Sequence, residues 1–204
     1  MNTSIGSALR RAASAALLAG SALLTGCASF YVDTATRDVP VAQFKKVANP
    51  KPVALTFDFQ SRGAPNPRAT EFLRAQVQEQ VAASGLFSTV ASGSDSARLN
   101  VELNNVPLDG QNAAAKGFVT GLTFGLAGNV VTDVYECKLT YLAPGQTTPV
   151  VTSARHAIHT SLGASDAPAN ATKSANMEDA IRTMTRQVIA NALNDLSQQA
   201  AFNN

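Results

Sequence analysis

Tryptophan is absent from this chain of 204 residues, and cysteine and histidine occur only twice each. Each scarcity excludes something. Two cysteines cannot build a disulfide framework. The two histidines, His156 and His159, lie three residues apart in a run with strand periodicity, so they project to opposite faces and cannot share one metal ion without a bulge. A zinc site needs about four protein ligands, or three and a water, and no His/Cys grouping supplies them. Charged residues make up only 15% of the chain. Apart from Arg10-Arg11 and Lys45-Lys46 the basic ones stand singly, so the concentrated basic face of a nucleic-acid binder is missing. No apolar run reaches the roughly 20 residues that a membrane-spanning helix needs. Gly-x-Ser-x-Gly, a zinc-protease pattern and a glycine loop followed by Lys-Ser/Thr are all lacking. Asp58, Glu102 and Asp109 are isolated carboxylates. No catalytic constellation emerges, no metal is expected, and a non-enzyme is the reading that follows.

What is present begins at the amino terminus. Arg10 and Arg11 form a positive segment, and Ala12 to Leu24 is uncharged and rich in alanine and leucine. About 13 such residues are too few to cross a bilayer but fit the core of a secretion signal. Leu24-Thr25-Gly26-Cys27 follows directly, and it resembles the lipobox of bacterial lipoproteins. That resemblance implies cleavage between Gly26 and Cys27, a diacylglyceryl group on the Cys27 thiol and an acyl chain on the new amine. No other cofactor is expected. Residue 28 is Ala rather than Asp, which in such lipoproteins implies the periplasmic face of the outer membrane. Removing 26 residues from the 204 leaves 178, and two of the 16 basic residues leave with the signal, so 14 remain against 14 acidic ones. With Cys27 blocked by lipid, Cys137 has no intramolecular partner and is either a buried small hydrophobe or an exposed thiol.

Residues 27–51, with Pro40, Pro50 and the Lys45-Lys46 pair, read as the lipidated terminus and a tether, to which Phe30 to Val32 and Val39 to Phe44 add docking contacts. A single domain is expected over 52–200. Val53, Leu55, Phe57 and Phe59 alternate as in a half-buried strand. Asn66-Pro67 opens a helix with the stripe Ala69, Phe72, Leu73, Val77 and Val81, closed by Gly85. Leu86 to Val90 is a short return at the sheet edge. Leu99 to Val106 and Val131 to Leu142 are further strands; on the second, Val131, Tyr135, Cys137, Leu139 and Tyr141 share a face. Ala143 to Gln146 turns into Val150 to Thr160, and Gly163 to Ser174 is a loop. Asn176 caps a final helix with Ile181, Met184, Val188, Ala192 and Leu196 inward, and Asp179 completes the cap. The order β-α-β-β-β-α predicts an α+β fold: two helices on one face of a mainly antiparallel, mixed four-stranded sheet.

Gly117 to Thr132 is uncharged and apolar, with Gly117, Gly121 and Gly125 spaced by four. On a helix these glycines make a smooth ridge that another backbone can approach, flanked by Phe118, Leu122, Phe124 and Leu126. It reads either as a membrane or partner contact, or as a buried glycine-rich loop or a strand entering the long one that follows. The lipobox, the Glu71 to Gly85 helix running into Leu86-Phe87 and the amphipathic end helix together resemble small envelope lipoproteins of the lipopolysaccharide-assembly, penicillin-binding-protein-activator and curli-secretion types. That resemblance implies a non-catalytic adaptor that docks on an envelope protein or on its own copies. The alternative is a carrier of a small apolar or lipidic ligand, which needs a cavity near Phe57, Tyr135 and Tyr141.

Overall fold

Alternation along Val53, Phe57 and Phe59 buries these side chains against a helix layer, and they lie on strand β2, Val53–Ser61. The computed structural model describes residues 28–91, 96–106, 130–162 and 168–203. Its elements are β1 (Ala28–Asp33), β2, β3 (Ala64–Pro65), α1 (Pro67–Ala83), β4 (Val90–Ala91), β5 (Ala97–Val106), β6 (Val130–Leu142), β7 (Val150–Leu162), β8 (Ala171–Lys173), α2 (Met177–Gln198) and a terminal turn α3 (Ala200–Asn203). One sheet takes the order β3-β2-β5-β6-β7-β1-β8, with β4 beside β2. β2 and β5 are parallel through the α1 crossover; β5, β6, β7 and β1 are antiparallel in turn.

The four expected strands are β2, β5, β6 and β7, and α1 and α2 pack against them through one core. Both helix starts are built as their sequence suggests. Asn66 Oδ1 accepts from Ala69 N–H at 3.1 Å, and Asn176 Oδ1 accepts from Asp179 N–H at 2.9 Å. Such caps satisfy N–H groups that the helix itself leaves open. Gly85 ends the α1 region at φ +70°, a conformation that a Cβ disfavours. Leu73, Val77 and Val81 are fully buried on α1, and Met184, Val188, Ile189, Ala192 and Leu196 on α2. The helices are also stitched by amides: Gln76 and Gln80 Nε2–H donate to the carbonyls of Arg182 and Arg186 at 2.9 and 2.6 Å.

The sheet is wider than four strands, and the reason lies in the segment read as a tether. Residues 28–33 form β1, paired antiparallel with β7 from Ala28 opposite Leu162 to Val32 opposite Ile158. Tyr31, Val32 and Asp33 are buried. Beyond it, Arg186 pairs with Asp38, Asn191 Nδ2–H donates to the Arg37 carbonyl, and Phe44 enters the core. The segment is therefore laid along the sheet and over α2, where apolar Phe30, Val32 and Phe44 outweigh the prolines. The expected loop 163–174 likewise contains β8, which pairs with β1. Two further corrections concern faces. Phe72 is exposed and stacks under the Arg182 guanidinium at 4.2 Å instead of joining the core. Val131 has the parity of Tyr135 but is 52% exposed, because β6 runs on past its buried stretch.

Candidate functional site

Cys27, the Gly26–Cys27 cleavage point and the apolar residues Gly117, Phe118, Gly121, Leu122, Phe124, Gly125 and Leu126 lie outside the described residues. The residues that border them do not, and they converge. Ala28, directly after Cys27, is opposite Leu162. Val130 is opposite Ser161, and Val106 opposite Val134. The attachment points of the amino terminus and of the glycine-spaced segment thus share one end of the sheet. At that end β6 begins four residues before its pairing with β5, at Val130 to Asp133. Val130 to Thr132, Thr160 to Leu162 and Ala28 to Val32 carry no charged side chain, and Val131 and Leu162 are exposed, at 52% and 45%. No helix among the described residues is long and apolar enough to cross a membrane.

Beside this end lies a polar line that sequence reasoning missed. His159 Nε2 meets Asp33 Oδ2 at 3.1 Å, and His159 Nδ1 meets the Thr132 hydroxyl at 2.8 Å. The Asp33 and His159 side chains have no exposed surface. With the proton on Nε2 donated to the carboxylate, Nδ1 accepts from Thr132, so each ring nitrogen has a partner. The second Asp33 oxygen accepts from Ala35 N–H at 2.7 Å. The order carboxylate, imidazole, hydroxyl is that of a nucleophile relay, but an enclosed ring with both nitrogens occupied has no position from which to take a substrate proton. Its evident physical effect is to fasten β1, β7 and β6 together. The alternation Phe30, Val32 was the available signal for it; once residues 28–33 are taken as a strand, Asp33 becomes a candidate partner for a sheet histidine.

His156 points to the other side, toward α2, as the spacing of the two histidines requires. Its Nδ1 accepts from Ala157 N–H at 2.8 Å, which leaves Nε2–H to donate to Gln187 Oε1 at 2.6 Å. Burial holds its pKa below the usual histidine value, partly opposed by the Gln187 hydrogen bond and by Asp33. An imidazole of this kind binds its proton more readily when unfolded. Stability is therefore full above the unfolded value of about 6.5 and falls as pH drops below it. The urea midpoint is expected to fall between about pH 7.5 and pH 5.5, and less so in His156→Gln, which has no ring to protonate.

Cys137 lies buried in β6, and burial, helped by Glu136 and Glu102, pushes its thiol up to about 12. Of the two readings open for it, the small hydrophobe is the one observed. No group of three or more potential metal ligands occurs among the described residues. The aromatic residues named for a carrier cavity are packed. Phe57, Tyr135 and Tyr141 are nearly inaccessible. Tyr135 meets Phe59 at 6.3 Å between ring centroids, and Tyr141 stands edge-on to Phe202 at 4.8 Å. The hollow beside Tyr141, bounded by Leu86, Phe87 and Phe202, measures about 130 Å³, below the roughly 300 Å³ at which ligand pockets begin. A larger groove of about 610 Å³ runs between β1 and α2, but Arg37, Asp38, Lys173 and Asp179 give it a charged lining.

No family model matches the chain, and no curated protein matches it. Among solved structures, the PelC dodecamer from Paraburkholderia phytofirmans is similar over 86% of this chain and 99% of its own, at 13% identity and a TM-score of 0.34. A point variant of that dodecamer in a second crystal form is similar over 86% of this chain and 100% of its own, at 12% identity and a TM-score of 0.34. Neither likeness bears on what this chain binds.

Proposed function

We propose that this chain is a lipid-anchored envelope protein, cut before Cys27 and acylated there, that works as a non-catalytic adaptor or assembly factor on the periplasmic face of the outer membrane. The observation that carries this reading is the start of β1 at Ala28, laid into the sheet and buried from Tyr31 onward. Lipid on the preceding residue holds a structured domain at the membrane with a fixed end toward it. Several acyl chains at about 0.8 kcal/mol per buried methylene make that attachment firm. A fixed domain with a filled aromatic core suits docking on another protein better than shuttling a ligand, which favours the adaptor over the carrier.

The test is crosslinking of the lipidated protein in membranes, followed by purification and mass spectrometry, beside a variant carrying Gly121→Leu and Gly125→Leu. A protein partner or self-oligomer recovered with the parent and lost from the folded variant is the expected result. Recovery of lipid alone by both forms would sink the adaptor reading and favour the carrier.

A further inference from the structure

The geometry points to a defined pose on the bilayer: the sheet stands upright, with the Val131 and Leu162 end seated in the lipid interface. This rests on lipidation at Cys27 and adds to it the surface that meets the membrane. Ala28 lies directly opposite Leu162, and facing residues of antiparallel strands have Cα atoms about 4.5–5.5 Å apart. Cys27 is one peptide further, about 3.8 Å between Cα atoms. Acyl chains on Cys27 would therefore start within one residue of the Ala28–Leu162 pair. The end that they reach is suited to an apolar interface. Among the described residues there, Val131 and Leu162 are the exposed large apolar side chains, and no charge interrupts Val130 to Thr132 or Thr160 to Leu162; Asp133 and Arg62 follow further from the tip.

The far end of the sheet carries an exposed apolar side chain of its own. Val151, 49% exposed, lies on the same strand as Leu162 but eleven residues away, about 37 Å at 3.4 Å per residue. An upright sheet keeps Val151 in water. Eleven being odd, Val151 is on the opposite face of the sheet from Val131 and Leu162, so a sheet lying flat on the Val151 face would bring Val151 to the lipid and turn the other two away.

The absence of tryptophan makes the pose directly measurable. Val131→Trp, Leu162→Trp and Val151→Trp each introduce a single indole at an exposed position, and far-ultraviolet circular dichroism checks that each variant folds. The lipidated full-length mature proteins are reconstituted into phosphatidylcholine vesicles with and without brominated acyl chains, and flotation reports whether they bind. The expected result is emission largely lost to bromine for Val131→Trp and Leu162→Trp, with Val151→Trp unchanged. Quenching at Val151→Trp, alone or together with the others, or at none of the three in protein that floats with the vesicles, overturns the upright pose while leaving lipidation intact. Protein that fails to float, and whose amino terminus carries no acyl mass, overturns the anchored reading and this pose with it.

Discussion

Asp33→Ala is expected to lower the unfolding free energy by about 1–3 kcal/mol, the cost of leaving a buried donor without its acceptor. The His159 imidazole would keep its place in β7, fully enclosed, with its Nε2 proton facing no acceptor. Ala35 would also lose the acceptor for its N–H, but it is exposed enough for water to replace it. Asp33→Asn retains an amide oxygen toward His159 and is expected to cost clearly less. Urea unfolding of the two variants beside the parent checks the ranking. Equal and small losses would mean that the polar line contributes little to holding β1.

The second large effect concerns the whole of β1. Removing residues 28–33 from the mature chain is expected to abolish cooperative unfolding, seen as the loss of a sharp thermal transition in circular dichroism. The deletion takes Val32 out of the core, where a fully buried valine contributes about 1.5–3 kcal/mol. It also removes Tyr31, five strand pairings with β7 and the partner of His159. Together these losses rival the whole stability of an ordinary domain, about 5–15 kcal/mol. If residues 28–33 were a tether, the shortened protein would melt as the parent does.

That contrast also locates what was legible in the sequence. The strands with strict alternation, Val53 to Phe59, Leu99 to Val106 and Tyr135 to Tyr141, could be read because a half-buried strand forces a period of two. Both helices could be read from their caps and stripes. β1 and β8 are edge additions of six and three residues, too short for periodicity to separate them from a loop, and their partners lie more than a hundred residues away in sequence. Prolines 40, 50 and 52 suggested a free segment, yet they follow β1 and do not interrupt it. Phe72 was assigned inward by spacing alone, whereas Arg182 on α2 offered its ring a cation at the surface.

The same limit applied to the site. His156 and His159 were legible as facing opposite ways, and this alone removes a shared metal ion. Their partners were not legible, because Asp33 and Gln187 reach them only through tertiary pairing. Cys137 was readable as a strand residue, but the burial that raises its thiol follows from helix packing that no local pattern displays.

The most direct test of the central claim is the mass of the amino-terminal peptide from protein extracted out of cell membranes, compared with the fractionation of Cys27→Ser. A mature chain beginning at Cys27 with diacylglyceryl and N-acyl mass, and a Cys27→Ser protein no longer processed to that form, is the predicted result. A mature chain that begins elsewhere or carries an unmodified Cys27 would contradict the account.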